Sequence, residues 1–302
     1  MSFPGLTIIG ERINPGFASS KTLLDARDLP KLQDLARTQV TRGAALLNVN
    51  GGTEGERDPA WIAELVRAVQ AVVAVPLSID SPCTAVQEAA LSAYDPARAG
   101  GRGPIINSVT ENRWDMLGLR ALVPGGAQVL FMASERLEHG QAVANRSAAE
   151  VYATARRCVE RARSEAGLAN PDIILDVSVA PLATDTESMA RMAVEAIRLI
   201  GADADLRGVH LSVGLSNIGI MLPKVEIGGL PIGLALECAF LTLAVPAGLD
   251  LSLATAGREY QVLPADHPAM IAFQACLEAE DGFESLAIIR KLYRGALRAN
   301  AG

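Results

Sequence analysis

Short apolar runs and longer amphipathic runs alternate along the whole chain. Strand-like runs fall at Leu6–Gly10, Ala45–Val49, Val73–Ile79, Ile105–Asn107, Gln128–Met132, Ile173–Val177, Val209–Leu215 and Leu249–Ala254. Helical spacing fills the intervals over Lys31–Arg42, Ala60–Val72, Thr84–Tyr94, Arg113–Leu122, Ala148–Ala166, Ser188–Ile200, Leu234–Leu243 and Pro268–Ala279, and a last helix is expected near Glu284–Arg298. Such alternation predicts a parallel sheet covered by helices. Eight strands and one terminal helix favour an α/β fold of the (β/α)8 TIM barrel type, with an open doubly wound sheet as the competing arrangement. No repeat or low-complexity linker divides the chain, so one barrel domain with a C-terminal helix is expected over 1–302.

Several helix boundaries carry their own chemistry. Asp58-Pro59 and Ser81-Pro82 each place a capping oxygen before a proline suited to the first helical turn. Ser147-Ala-Ala-Glu150 and Thr184-Asp-Thr-Glu187 have capping-box spacing, and Gly43 and Gly167 sit where helices should end. Leu230–Leu251 is almost continuously apolar, close to the length of a membrane span, but Glu237 and Pro246 interrupt it. It reads as a buried helix and then a strand. A helix apolar on nearly every face needs cover on both sides, so a second copy of the chain is expected there and a homodimer follows.

Composition narrows the functional classes. The chain has 302 residues, 50% of them apolar, enough for one large core. Its net charge is −7 and it has no basic tract, which argues against nucleic acid as a partner. Met1-Ser2-Phe3-Pro4-Gly5 lacks the basic and apolar regions of a secretory leader. The four cysteines, Cys83, Cys158, Cys238 and Cys276, are far apart and fit free thiols in a cytoplasmic setting, with no membrane association expected. Neither they nor His139, His210 and His267 form a metal-binding motif, so no protein-bound metal is expected. Aromatic content is 4%, too sparse for sugar-stacking platforms, and no Gly-x-Ser-x-Gly, Gly-x-Gly-x-x-Gly or P-loop occurs.

The candidate chemistry lies just past the strands. Gly10-Glu11-Arg12-Ile13-Asn14, Ile79-Asp80-Ser81, Ile106-Asn107-Ser108, Leu175-Asp176 and Gly214-Leu215-Ser216-Asn217 each end an apolar run in polar side chains. That places them on the carboxyl rim of a barrel, where such enzymes keep their sites. Asp80 and Asp176 can accept from a ligand's N–H groups, or can cap a loop; Asp80 could also pair with Arg12. Asn50, Asn107 and Asn217 are poor strand residues that need satisfied partners at a buried mouth. Glu11 and Arg12 read as an internal ion pair, and Asn14-Pro15-Gly16 as a turn. Together these groups suit a flat heterocycle edged with N–H donors and lone pairs.

The ordered set of motifs resembles the pterin-binding barrel family, above all methyltetrahydrofolate:corrinoid protein methyltransferases. The folate-binding domain of cobalamin-dependent methionine synthase is a relative, and there too the last strand resembles Gly248-Leu249-Asp250 followed by Ala256-Gly257. The resemblance implies that the substrate is tetrahydrofolate or 5-methyltetrahydrofolate and that the methyl acceptor or donor is a corrinoid (cobalamin) held on a partner protein. It also implies that Asp80, Asn107 and Asp176 bind the pterin ring, with Asn48, Asn50, Ser108, Glu11 and Asn14 around it. Asn217 matches the amide that reaches N5, and with Asp176 it would carry the catalysis. Two departures stand out. Asn48 occupies a position that is often aspartate in the family, and Ile218-Gly219-Ile220-Met221-Leu222-Pro223 is apolar where relatives run polar; Lys224 beyond it could meet a folate glutamate tail. Dihydropteroate synthase shares the fold, but its Asn-Thr-Pro-Asp-Ser-Phe signature is absent. A non-catalytic pterin-binding or corrinoid-docking subunit is the alternative of another class.

Overall fold

The computed structural model describes residues 3–299. Among these, eight parallel strands form a closed ring. They are β1 (Thr7–Ile13), β2 (Leu46–Val49), β3 (Leu77–Asp80), β4 (Ile105–Val109) and β5 (Gln128–Met132); then, past a hairpin of β6 (Glu135–Glu138) and β7 (Gln141–Ala144), β8 (Ile173–Asp176) and β9 (His210–Gly214); and, past a hairpin of β10 (Glu226–Ile227) and β11 (Leu230–Pro231), β12 (Leu251–Ala254). Parallel pairing of β12 with β1 closes the barrel and rules out the open sheet. Around it run α1 (Ala18–Asp25), α2 (Leu29–Thr41), α3 (Gly52–Arg57), α4 (Pro59–Gln70), α5 (Thr84–Ala93), α6 (Ala148–Ala166), α7 (Met189–Ala202), α8 (Ile232–Ala244), α9 (Pro268–Glu278) and α10 (Gly282–Ala299).

Local chemistry sets most boundaries as expected. Asp58 accepts from the Ala60 N–H at 3.2 Å and Ser147 from the Glu150 N–H at 3.2 Å, while Gly167 ends α6 in the left-handed conformation. Two starts differ. The Ser81 hydroxyl accepts from Cys83 N–H at 3.1 Å in a turn before α5, which begins only at Thr84. At α7 the N-cap residue is Ser188, and the first amides are met by Asp185, not Thr184: the Asp185 carboxylate accepts from Met189 and Ala190 N–H at 2.8 and 3.0 Å. The helix expected over Arg113–Leu122 is a 3-10 segment, Glu111–Leu122, with Arg113 outside helical geometry. Glu111 there is bound by Leu137 N–H at 2.7 Å and Arg157 at 2.9 Å, so tertiary ties override a weak helix with Gly118 inside it. The short α1 and α3 were not expected, nor were the two hairpins.

β1 runs three residues past its expected end, with an irregular register against β2 between Gly10 and Ile13. The displaced Arg12 N–H is taken by the Gln39 side chain at 2.8 Å. A Cβ on Gly10 would lie 2.7 Å from that Gln39 oxygen and 3.0 Å from Ala44 Cβ, so only glycine lets α2 approach here.

α8 is buried on almost every face, as its sequence predicts. Its cover comes from α9, α7 and the 3-10 turn Leu215–Gly219 of the same chain, with Phe240 edge-on to Phe273 at 6.1 Å. The second copy expected to cover it is therefore not required. No helix among the described residues is long and apolar enough to cross a membrane.

Inside the barrel the period of two organises two storeys. Ile9, Leu46, Ile105, Leu130, Ile174 and Leu251 form a separate apolar plug. Two residues further along each strand, on the same face, stand Glu11, Asn48, Asn107, Met132, Asp176 and Leu253. The plug is the floor, and the polar storey above it faces the mouth.

Candidate functional site: a polar storey at the barrel mouth

Asp80 and Asn107 are paired neighbours in the β3–β4 register, and Asp176 pairs with Ser212 of β9. Asn48 is fully buried; its amide donates to Asp80 at 2.9 Å, and Asn107 donates to Ser78 at 3.2 Å and to Asn48 at 3.4 Å. Asn50 also reaches Asp80, while its own oxygen takes the Gly52 N–H at 2.8 Å. Burial raises the Asp80 pKa, opposed by the Asn48 and Asn50 hydrogen bonds. Burial likewise lifts Asp176 to about 6, against hydrogen bonds from Ser178. The Ser178 N–H lies 2.8 Å from that carboxylate, and the Ser178 hydroxyl is held by Ser134 at 2.9 Å. Among the described residues neither Asp80 nor Asp176 has a cation partner: the alternative pairing of Asp80 with Arg12 does not form.

The backbone at this edge is clamped from behind. The Gln87 amide of α5 donates to the carbonyls of Ile79, Asn107 and Ser81 at 2.8, 2.9 and 3.1 Å. Gln87 fixes the strand ends that present Asp80 and Asn107. Sequence reasoning missed it, although it lies one residue after Val86 on the buried face of α5, where a polar side chain needs a partner.

On the other arc of the mouth a cavity of about 620 Å³ opens between β1, β9 and β12. Asn217 lines it from the 3-10 turn Leu215–Gly219, exposed, and its side-chain amide makes no hydrogen bond among the described residues. Glu11 lines it too, but not as expected: the Glu11–Arg12 ion pair does not form. Glu11 accepts from the Ser216 hydroxyl at 2.7 Å and from Thr255 at 2.5 Å, while Arg12 bonds Ser19 at 3.0 Å and sits over Phe17. Adjacent strand residues point to opposite faces, so the pair was sterically excluded. Asn14 forms the expected turn, accepting from Gly16 N–H at 2.8 Å, at the cavity edge. Ser108 sits at an irregular register of β4 and makes no side-chain hydrogen bond to the cluster among the described residues.

Two cavity residues were not anticipated. Glu237, 1% exposed, reaches in from α8, and Arg258 meets it at 2.6 and 2.7 Å. Burial pushes Glu237 up to about 7; Arg258 opposes this and Glu11 adds to it. The signal was present as a lone acid in an apolar helix, whose partner lies 21 residues away.

The family model for pterin binding enzymes matches residues 11–253. The chain is 27% identical to a methionine synthase of Mycobacterium leprae, over 97% of this chain but 24% of that protein, so it spans about a quarter of that relative's length. It is 26% identical to a methylcorrinoid:tetrahydrofolate methyltransferase of Eubacterium limosum, over 81% of this chain and 83% of that one. Among solved structures it resembles the dihydropteroate synthase of Thermus thermophilus, with 23% identity, a TM-score of 0.56 and coverage of 86% and 92% of the two chains. That of Burkholderia cenocepacia, at 19% identity, also has a TM-score of 0.56, with coverage of 100% and 94%. These two share the fold. With the motifs in order on one barrel rim, and a family match over most of its length, the chain belongs to the pterin binding enzymes.

Proposed function

We propose that the chain is a methyltransferase that moves a methyl group between N5 of methyltetrahydrofolate and the cobalt of a corrinoid carried on a partner protein. The observation that carries this is a pair of carboxylates at the barrel mouth, Asp176 buried and Asp80 half-buried, neither with a cation partner among the described residues; the Asn48 amide donates to Asp80 and the Ser178 N–H to Asp176. Buried anions need charge-assisted donors. The amino-oxo edge of a pterin offers two N–H groups side by side, and Asn107, whose own amide N–H groups go to Ser78 and Asn48, offers its side-chain oxygen as an acceptor beside them. The name of the Eubacterium limosum relative, a methylcorrinoid:tetrahydrofolate methyltransferase, fits this substrate pair.

The chain's own groups would bind, orient and polarise. N5 leaves poorly unless its developing electron pair is stabilised. The unengaged amide of Asn217 can turn to donate to it as charge develops, which favours the transition state over the ground state. The corrinoid, when its protein docks, supplies the cobalt that accepts or gives the methyl group. Neither step needs a covalent link to this chain.

Calorimetry with tetrahydrofolate and its 5-methyl form, followed by methyl transfer to free cob(I)alamin, tests the reading. Absence of binding to both removes the pterin assignment. Binding without transfer supports a non-catalytic subunit. Condensation of p-aminobenzoate with a dihydropterin pyrophosphate supports a dihydropteroate synthase instead.

A further inference from the structure

A second cavity, of about 950 Å³, lies outside the site just described, between α10 and the loop that follows β8. One face of α10 lines it: Phe283, 70% exposed, then Arg290, Lys291 and Arg294 within a turn of one another. Among the described residues none of these three cations has an ion pair or side-chain hydrogen bond, whereas most other arginines of this acidic chain are paired. The opposite wall is Thr184 and Thr186.

This cavity adjoins the barrel mouth. α10 packs on β10, which follows Asn217, and its first residue meets the β8 loop so closely that a Cβ on Gly282 would lie 2.2 Å from Thr186 carbonyl atoms. Leu182 N–H donates to Ile218 carbonyl at 3.3 Å, joining the loop that carries Asp176 to the turn that carries Asn217. Asn217 and Ala183 of the cavity wall thus flank one hydrogen bond.

We infer that the cavity takes the γ-linked glutamate tail of the folate, its carboxylates on Arg290, Lys291 and Arg294. This rests on the pterin ring binding in the barrel, as proposed above. Among the described residues that line the cavity at the rim, the one cation is Arg258. Arg258 is engaged by Glu237 and Arg12 by Ser19, and Lys224, the sequence candidate, does not line the cavity. A concave site with an apolar wall and three unpaired cations suits a flexible polyanion that emerges from an aromatic linker.

The test compares 6-methyltetrahydropterin, tetrahydropteroyl monoglutamate and the triglutamate by calorimetry, at low and high salt. The protein is the full chain and its Arg290→Ala/Lys291→Ala/Arg294→Ala variant, whose changes lie on an exposed helix face. The triglutamate should bind about tenfold more tightly than the monoglutamate, the sum of several exposed ion pairs. That advantage should shrink with salt and vanish in the variant. The tail-less pterin should bind both proteins equally. Equal affinity of the native chain for both folates, or a preference that survives in the variant, overturns the inference. So does a variant that changes only the concentration of corrinoid protein needed for transfer, since the face would then be a protein-docking surface. If no pterin binds at all, the ring assignment fails first and takes this one with it.

Discussion

Asn48 donates a 2.9 Å hydrogen bond to Asp80 from a fully buried position. The departure noted in the sequence, an amide where the family often has aspartate, is thus a contact with a ring-binding candidate. A carboxylate at 48 would stand against another in a dry pocket, where two like charges cannot both ionise. The amide leaves Asp80 its charge and supplies it a donor.

Asn48→Asp is expected to make positions 48 and 80 share a proton. The variant should lose about 1–3 kcal/mol of stability at neutral pH, the cost of an unsatisfied buried polar group, and regain part of it as pH falls. Urea unfolding at pH 5 and pH 8 measures this; equal losses at both would show that the two carboxyls do not interact.

Asp176 predicts the pH dependence of binding. Its folded pKa is raised to about 6 by burial, so in the free protein its stability contribution is full below about 4 and is lost as pH rises through about 6. A ligand that donates N–H groups to this carboxylate binds its ionised form. Affinity for tetrahydrofolate should therefore climb as pH rises through about 6, with proton release on binding below it. Asp176→Asn should bind more weakly and with a flatter profile, read by calorimetry in buffers of different ionisation enthalpy.

Asn217 separates chemistry from binding. Its amide has no partner to lose among the described residues, so Asn217→Ala should fold normally by circular dichroism. Single-turnover methyl transfer should fall on the order of a hundredfold, as when one transition-state donor is removed, with a smaller loss of methyltetrahydrofolate affinity. A near-native rate at saturating substrate would confine Asn217 to binding.

Arg258 holds Glu237 at the inner wall of the Asn217 cavity. Arg258→Ala leaves an acid that is 1% exposed without its cation, and breaking such a pair costs about 3–5 kcal/mol. Glu237, already lifted to about 7, would hold its proton more firmly still. The loss should accordingly be small at pH 6 and grow as pH rises past 7, as melting temperatures at the two ends would show. Glu237→Gln should remove that slope.

The alternation of apolar runs and amphipathic helices, read along the chain, favoured the barrel over an open sheet, and the pairing of β12 with β1 decided its closure. Polar residues after those runs marked the rim. Strand geometry explains why: with a period of two, Leu46, Ile105 and Ile174 in the plug place Asn48, Asn107 and Asp176 directly above them. What the chain order did not contain was who meets whom across the ring. Glu11 finds hydroxyls 205 and 244 residues away, because closure sets β1 beside β12, with β9 next in the ring. Reading Glu11 and Arg12 as partners failed because neighbours in a strand face opposite ways. Gln87 and the Glu237–Arg258 pair sit on helix and loop positions whose sequence context is apolar or featureless; only packing against particular strand ends gives them polar work. Local pattern determines which face of an element is buried. Which polar groups then satisfy one another depends on the closed register of the barrel, a property of all eight strands together.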